Sequence, residues 1–153
     1  MFNPEKNKRT IFITIGVQAG GKTTFCRQYL NDFAYISLDI VKTRSKEDRM
    51  ITGIIPTGQN IVIDNTNPTK AERAKYLNIA RQNGYKTVGL YFRSAADECI
   101  KRNSQRENPV PLKGLLATAK KLEQPSYGEG FDELYYIKIE NNQFIISEWK
   151  EEP

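Results

Sequence analysis

The chain has 153 residues, of which 39% are hydrophobic and 27% are charged, and its net charge is +5. These values are typical of a single globular domain, and no apolar run approaches the ~20 residues that cross a bilayer. The first ten residues are polar and contain no export signal, so we expect a cytosolic protein. The basic charge fits either a polyanionic partner or an ordinary solvated surface.

The chain contains no histidine. This absence excludes Ser-His-Asp catalysis, Cys-His catalysis and histidine-ligated zinc. A general base must then be a carboxylate, with Lys, Tyr or Cys as less favoured alternatives. Cys26 and Cys99 have no metal-ligand spacing, and we expect them to be free, buried thiols.

The first predicted strand, Ile11 to Ile15, runs into the sequence Gly-Val-Gln-Ala-Gly-Gly-Lys-Thr at residues 16–23. This sequence matches the phosphate-loop (P-loop) pattern, in which glycine N–H groups surround phosphate oxygens, lysine adds a cation and threonine binds Mg²⁺. The alternative is a glycine-rich turn with a coincidental lysine. We expect a set of residues in and beside this loop to bind the nucleotide: Gly16, Gln18, Ala19, Gly20, Gly21, Lys22, Thr23 and Thr24.

Strands and helices alternate along the rest of the chain. The pattern predicts a helix over Thr24 to Leu30, a strand from Ala34 to Leu38 that ends at Asp39, and a weaker helix over Ser45 to Ile55. A buried strand, Ile61 to Ile63, then ends at Asp64.

A helix follows, opening at Asn67-Pro68. Its apolar face is predicted to consist of residues at every third position: Ala71, Ala74, Leu77 and Ala80.

The C-terminal half continues the alternation. The predicted elements are a strand over Thr87 to Phe92, a charge-rich helix over Ala95 to Arg106, an amphipathic helix over Leu112 to Leu122, a strand over Leu134 to Ile139, and a hairpin turned by Asn141-Asn142.

This alternation predicts a parallel sheet whose strands all end at the same edge. Gly16, Asp39 and Asp64 would therefore lie together there, where open α/β sheets bind their ligands. One aspartate is suited to accept a proton from an attacking hydroxyl, and another to bind Mg²⁺ together with Thr23. Alternatively, both aspartates are helix caps or turn residues.

Arg102 and Arg106 lie four positions apart in the charge-rich helix, so we expect them on one face. A planar guanidinium suits the charge that spreads over a transferring phosphoryl group. A solvated helix face is the alternative.

Three segments together resemble the kinase domain of polynucleotide 5′-hydroxyl kinases: residues 37–39, residues 62–76 and residues 101–106. The resemblance extends from about Ile11 to Ile137. It implies one P-loop kinase domain over residues 1–153, with a lid at about 95–111. The implied fold is an adenylate-kinase-like three-layer α/β/α sandwich with a five-stranded parallel sheet in the order 2-3-1-4-5.

The implied reaction is transfer of the γ-phosphoryl group of ATP, with Mg²⁺, to a 5′-hydroxyl end of DNA or RNA. By resemblance, Asp39 is the general base, Asp64 is the second essential carboxylate and a metal ligand with Thr23, and Lys22 binds phosphate. Arg106 and Arg102 are the lid arginines.

By the same resemblance, Arg73 and Lys42 contact the acceptor. Lys42 stands where many members of the family carry arginine, and lysine lacks the bidentate geometry of arginine. Neither a phosphatase nor a ligase motif occurs in the chain, so we expect kinase activity alone.

Two other functions remain open at this point. One is a small-molecule kinase that phosphorylates a nucleoside, sugar or antibiotic hydroxyl with the same residues. The other is a nucleotide-binding switch without an acceptor. The sequence also leaves open whether ATP or GTP is the donor.

Overall fold

The computed structural model describes residues 2–150. Its six strands form one sheet in the order β2-β3-β1-β4-β5-β6. The strands are β1 (Thr10–Ile15), β2 (Ala34–Ile36), β3 (Ile61–Ile63), β4 (Lys86–Phe92), β5 (Glu133–Glu140) and β6 (Gln143–Glu148). The helices are α1 (Lys22–Tyr29), α2 (Leu38–Val41), α3 (Arg44–Ile54), α4 (Lys70–Gln82), α5 (Ala96–Ser104) and α6 (Leu112–Lys121).

The first five strands are parallel and follow the predicted order 2-3-1-4-5. The sixth strand pairs antiparallel with β5 at the sheet edge. The turn between them is Asn141-Asn142, as predicted, and both residues have positive φ values, 50° and 59°. Asparagine tolerates this left-handed conformation better than most residues, which explains the tight hairpin.

Both faces of the sheet are covered. Ile11, Ile13 and Ile15 of β1 pack in the cluster that contains Leu77 of α4. Phe12, from the same strand, lies in a second cluster with Phe25 of α1. Because neighbouring strand residues point to opposite faces, β1 lies in the middle layer between the two clusters. Over residues 2–150, no helix is both long and apolar enough to cross a membrane.

The predicted buried face of α4 is partly wrong. Ala71 and Ala74 are exposed, whereas Leu77 is buried and shares its face with Arg73 and Tyr76. A period of three drifts off one helical face, which repeats every 3.6 residues. Arg73 is charged, yet it is buried because it pairs with Glu129.

Two predicted boundaries also change. The strand β2 ends at Ile36, and Asp39 lies in the separate short helix α2. Its cap, Ser37, accepts a hydrogen bond from the Asp39 N–H at 3.3 Å. The helix α5 ends at Ser104. Arg106 lies in the turn that follows, where its backbone N–H donates to the carbonyl of Asn103.

Candidate active site

The P-loop joins β1 to α1 at the carboxyl edge of the sheet. Gly21 caps α1 with φ of 93°, and an added Cβ would lie 3.0 Å from Ile139 and 3.1 Å from Phe144. Only glycine fits this conformation and this space. No side chain caps α1 at Gly21, so its first N–H groups are available to an anion.

Neighbouring strand ends hold the P-loop in position. The Gly16 N–H donates to the Thr66 carbonyl at 2.9 Å, and the Val17 N–H donates to Ser94 Oγ at 2.9 Å. The Ser94 hydroxyl donates in turn to the carbonyl of Phe92, the last residue of β4. Hydrogen bonds to the segments that follow β3 and β4, the two strands beside β1, therefore hold the P-loop in place.

Lys22 is buried, and its Nζ donates to the carbonyls of Gly16 at 2.9 Å and Val17 at 2.7 Å. Burial is the main reason that the pKa of Lys22 is lowered to about 8, a net value that includes an increase from Asp64 and a smaller decrease from Arg106. A nucleotide phosphate would bring a negative charge that favours the protonated amine.

Asp64 directly follows β3 and is buried beside the start of α1. Its Oδ2 accepts a hydrogen bond from the Thr23 hydroxyl at 2.9 Å and another from the Tyr35 hydroxyl. The Thr14 hydroxyl lies 3.4 Å from Oδ1 but donates its proton to the carbonyl of Asn65 at 2.7 Å. Asp64 is thus held by two hydroxyl donors, of which Thr23 belongs to the P-loop.

The Thr23 hydroxyl and Asp64 carboxylate are the predicted Mg²⁺ ligands. Oxygen ligands of this kind suit Mg²⁺, which takes one or two carboxylates and completes its shell with water and phosphate oxygens. Among residues 2–150, no group of three or more acidic or cysteine side chains could hold a metal alone. A hydroxyl and one carboxylate suit an ion that also takes oxygen ligands from a nucleotide.

Asp39 projects from α2 and is exposed at the same cleft. The start of α2 is held by Asn65, whose Oδ1 accepts the Leu38 N–H at 2.9 Å. Asp64 is held among hydroxyl groups, whereas Asp39 is exposed to an incoming substrate. The two aspartates are therefore suited to different tasks.

The cleft has a volume of about 1110 Å³. It brings together ten of the predicted site residues: Gln18, Ala19, Gly21, Lys22, Thr23, Thr24, Asp39, Asp64, Arg102 and Arg106. Gly16 and Gly20 are buried within the loop. Lys42 and Arg73 do not line the cleft.

The two lid arginines reach the cleft by different routes. Arg102 is in the last turn of α5, and Arg106 lies in the turn beyond it, so the two do not share a helix face. The loop after them is closed by Asn103, which exchanges two hydrogen bonds with the backbone of Val110, at 2.8 and 3.0 Å.

Arg73 is fully buried and bound to protein atoms. It pairs with Glu129 through Nε at 2.9 Å and Nη2 at 3.1 Å, and its Nη1 donates to the carbonyls of Asn67 and Glu123. Its predicted contact with the acceptor does not fit this position, because these contacts occupy each of its guanidinium nitrogens. The arginine joins α4 to the segment before β5.

A family model described as an AAA domain matches residues 11–125. The chain belongs to this P-loop kinase family. Membership in this family supports nucleotide binding at the P-loop and a phosphotransferase activity.

A protein of Acanthamoeba polyphaga mimivirus, named as a polynucleotide phosphatase/kinase, is 28% identical over 161 residues. The match covers 97% of this P-loop kinase chain but only 38% of the viral protein. This confirms the resemblance seen in the sequence. The chain thus corresponds to well under half the length of that relative.

Solved structures share the fold. Kti12 of Chaetomium thermophilum, in complex with ADP-AlF3, aligns with a TM-score of 0.67 at 16% identity, covering 84% of this chain and 88% of Kti12. A gluconokinase of Sinorhizobium meliloti aligns with a TM-score of 0.60 at 15% identity, covering 86% and 83%. At these identities, the likeness establishes the P-loop kinase fold alone.

Sequence reasoning missed several residues of this P-loop kinase site: Tyr35, Arg44, Glu47, Asn65 and Ser94. Asn65 and Ser94 lie within two residues of a strand end, so the rule that located Asp64 could have found them. Tyr35 lies in β2 opposite Val62 of β3, a pairing that needs the strand order. Nothing in the local sequence marks Arg44 or Glu47.

Proposed function

We propose that this protein transfers the γ-phosphoryl group of ATP to the 5′-hydroxyl end of a DNA or RNA strand. One observation carries the proposal: a single cleft is lined by the P-loop, two differently held aspartates and two lid arginines. Charge neutralisation and nucleophile positioning are the two requirements of phosphoryl transfer, and this arrangement can supply both.

The donor phosphates would occupy the P-loop. Lys22 and the N–H groups at the start of α1 neutralise and orient them. Thr23 and Asp64 would hold Mg²⁺, which, when bound, neutralises charge on the phosphate oxygens. Arg102 and Arg106 stabilise the charge that spreads over the transferring group.

The acceptor hydroxyl would stand between Asp39 and the γ-phosphorus. Its oxygen forms a bond to phosphorus as the bond from phosphorus to the oxygen bridging the β- and γ-phosphates breaks. The hydroxyl proton passes to the Asp39 carboxylate, and ADP leaves with the electron pair of the broken bond. Asp39 suits this step because it is exposed at the cleft, where it can approach the incoming hydroxyl.

The nucleic-acid acceptor is supported by the mimivirus relative, which is named as a polynucleotide phosphatase/kinase. The net charge of +5 agrees with a polyanionic substrate. A sugar, nucleoside or antibiotic would use the same Asp39 and the same lid, so the acceptor must be tested directly.

The test is incubation with ATP labelled on its γ-phosphate, beside a 5′-hydroxyl oligonucleotide, its 5′-phosphorylated counterpart and a panel of nucleosides and sugars. We expect label on the 5′-hydroxyl oligonucleotide alone. Label on a nucleoside or sugar, with none on the oligonucleotide, would replace the proposal with a small-molecule kinase. Tight ATP binding with no labelled acceptor would indicate a nucleotide-binding switch.

A further inference from the structure

Two consecutive residues of the P-loop, Val17 and Gln18, contact the lid and the helix α6 that follows it. Val17 is fully buried and packs in a small apolar cluster with Cys99 of α5 and Leu115 of α6. Val110, near the end of the lid, packs against the same cluster. A residue of the P-loop is therefore part of the apolar core that holds α5 and α6 together.

Gln18 adds a polar contact beside this cluster. Its Nε2 donates to Thr118 Oγ1 at 3.1 Å, and the Thr118 hydroxyl donates in turn to the carbonyl of Gly114 at 3.0 Å. Leu115 and Thr118 are three positions apart in α6 and are both buried, so one face of this helix lies against the P-loop. Gln18 lines the cleft and Thr118 does not. Thr118 can therefore influence the cleft only through the residues that it holds.

The other half of the Gln18 amide has no such contact. Its Oε1 is buried, and nothing in residues 2–150 forms a hydrogen bond with it. A buried acceptor without a partner lowers the stability of the fold. An apolar side chain would avoid this cost, so folding stability alone does not explain a glutamine between the P-loop and α6.

The far end of α6 is attached to the start of α4. The backbone N–H of Glu123, two residues beyond α6, donates to the Pro68 carbonyl at 2.7 Å. The Glu123 carboxylate accepts a hydrogen bond from the Lys70 N–H at 3.1 Å. Because this end of the helix is fixed, the contact between Gln18 and Thr118 sets how closely the rest of α6 lies to the P-loop.

The turn that carries Arg106 is connected to α6 at its other end. Asn103 and Val110 close this turn with two hydrogen bonds, and Arg106 lies between them and lines the cleft. Val110 packs against the cluster that contains Val17 and Leu115. A displacement of α6 would therefore be passed through Val110 to Arg106.

We propose that Thr118 is a positioning residue for phosphoryl transfer: by its hydrogen bond with Gln18 it holds α6 against the P-loop and so places Arg106 beside the phosphates bound there. The same short loop then locates both the phosphates and the arginine. Such placement matters, because a shift of about 1 Å can lower the rate of a reaction about 100-fold. The inference rests on the proposed phosphoryl transfer and adds a residue outside the cleft on which that reaction depends.

The first test is Thr118→Val, which removes the hydroxyl and keeps the shape of the side chain. We expect the single-turnover rate of transfer from labelled ATP to fall about tenfold. The Kd for ATP should stay within about twofold of the wild-type value, because the phosphate-binding groups of the P-loop are unchanged. Circular dichroism verifies that the variant is folded.

Two further variants serve as controls. Thr118→Ser keeps the hydroxyl and should restore most of the rate. Ser104→Ala is the matched control, because the Ser104 hydroxyl also donates to a carbonyl of its own helix, that of Lys101 at 2.7 Å, but lies outside the cleft and away from α6. It should transfer at the wild-type rate. A wild-type rate in Thr118→Val, or no recovery in Thr118→Ser, would overturn the inference.

A double-mutant cycle with Arg106→Ala separates positioning from a general loss of structure. If Thr118 acts through Arg106, Thr118→Val should change the rate by less than about twofold once Arg106 is absent. A fall of about tenfold in both backgrounds would mean that the two residues act independently, and it would refute the positioning role.

The same cycle can be measured without a nucleic-acid acceptor. Transfer to water, followed as release of labelled phosphate, involves the same γ-phosphoryl group and the same arginine, and it is the measurement to use if no oligonucleotide is labelled. The proposed acceptor is thus tested on the wild-type protein, whereas the role of Thr118 is tested on the variants. A wild-type protein that transfers the γ-phosphoryl group neither to an acceptor nor to water would refute both.

Discussion

The donor and acceptor halves of the cleft are built in different ways. The donor half is one continuous segment, residues 16–23, whose shape comes from glycine conformations and backbone hydrogen bonds. The acceptor half depends on side chains from α3, α4 and the end of β3, which meet at Glu47. A site made of backbone can be recognised in a short sequence pattern, whereas a site made of distant side chains cannot.

The largest expected effect concerns the two lid arginines, which would act on the transferring phosphoryl group of the donor. Replacing Arg102 and Arg106 together with alanine should lower the transfer rate by about 10³ to 10⁵, the range for arginines that stabilise a transferring phosphoryl group. Single-turnover kinetics with labelled ATP would measure this. Arg93→Ala, which removes an arginine close to the lid but outside the cleft, should transfer at the wild-type rate. If the double variant transferred phosphate at a rate within tenfold of wild type, the lid arginines would not contribute to catalysis.

The second largest effect is expected for substitution of Arg73, which shows whether this arginine binds the substrate or stabilises the fold. Arg73→Ala would leave Glu129 unpaired in a nearly buried position, and breaking a buried pair costs about 3–5 kcal/mol of the free energy of unfolding. Urea denaturation measures the loss. The exposed Arg81 of the same helix gives the control, since Arg81→Ala should change stability by no more than about 0.5 kcal/mol. Unchanged stability with lost acceptor binding would restore a substrate role.

The acceptor half should also show a pH signature. Burial raises the pKa of Glu47, but hydrogen bonds from Tyr76, Lys75 and Asn65 outweigh it and leave the pKa below its ordinary value. A lowered pKa stabilises the fold above the unfolded-state pKa, and that stability is lost as the pH falls through the folded-state pKa. Glu47→Gln should therefore lower the free energy of unfolding by about 2–3 kcal/mol at pH 7.

The difference between Glu47→Gln and wild type should shrink as the pH falls below the ordinary glutamate range. Denaturation curves at neutral and acidic pH would measure it, with Asp48→Asn as a control at a more exposed carboxylate of the same helix. A difference that stays constant with pH would mean that Glu47 is not charged in the folded protein.

The smallest effect concerns the Tyr35 hydroxyl, which donates to Asp64. Tyr35→Phe removes a net hydrogen bond of about 1 kcal/mol. The Mg²⁺ concentration that half-saturates ATP binding should therefore rise about fivefold. Calorimetry of nucleotide binding at graded Mg²⁺ measures this without transfer. Tyr29→Phe, on α1 and away from the cleft, is the control. Identical Mg²⁺ dependence in Tyr35→Phe and wild type would remove Tyr35 from the site.

The sequence predicted the sheet because β1 and β3 are largely apolar and are followed directly by Gly16 and Asp64, residue types with a recognisable use at a phosphate site. Gly16 and Asp64 are strand-end residues, and their convergence follows from the geometry of a parallel sheet. Hydrophobic periodicity failed at α4, because it assigns a charged residue such as Arg73 to the surface. Only the partner Glu129, 56 residues away, makes its burial favourable.

Prediction from the sequence is more limited still in the acceptor half. Glu47 and Asn65 are 18 residues apart, and Glu47 and Tyr76 are 29 apart. Nothing in the local sequence marks Glu47, and its contacts depend on how α3 lies beside α4 and the end of β3. Lys42 was predicted from a position in the family pattern, and the structure places it at the end of α2, outside the residues that line the cleft.

The most direct test of the account is Asp39→Ala, measured for both transfer and ATP binding on the same preparation. Because Asp39 would accept the proton and lies apart from the P-loop, transfer to the 5′-hydroxyl oligonucleotide should fall by about 10² to 10⁴. The Kd for ATP should stay within about twofold of the wild-type value, since the donor half is intact. Normal turnover in this variant would contradict the assignment of Asp39 as the general base and, with it, the acceptor half described above.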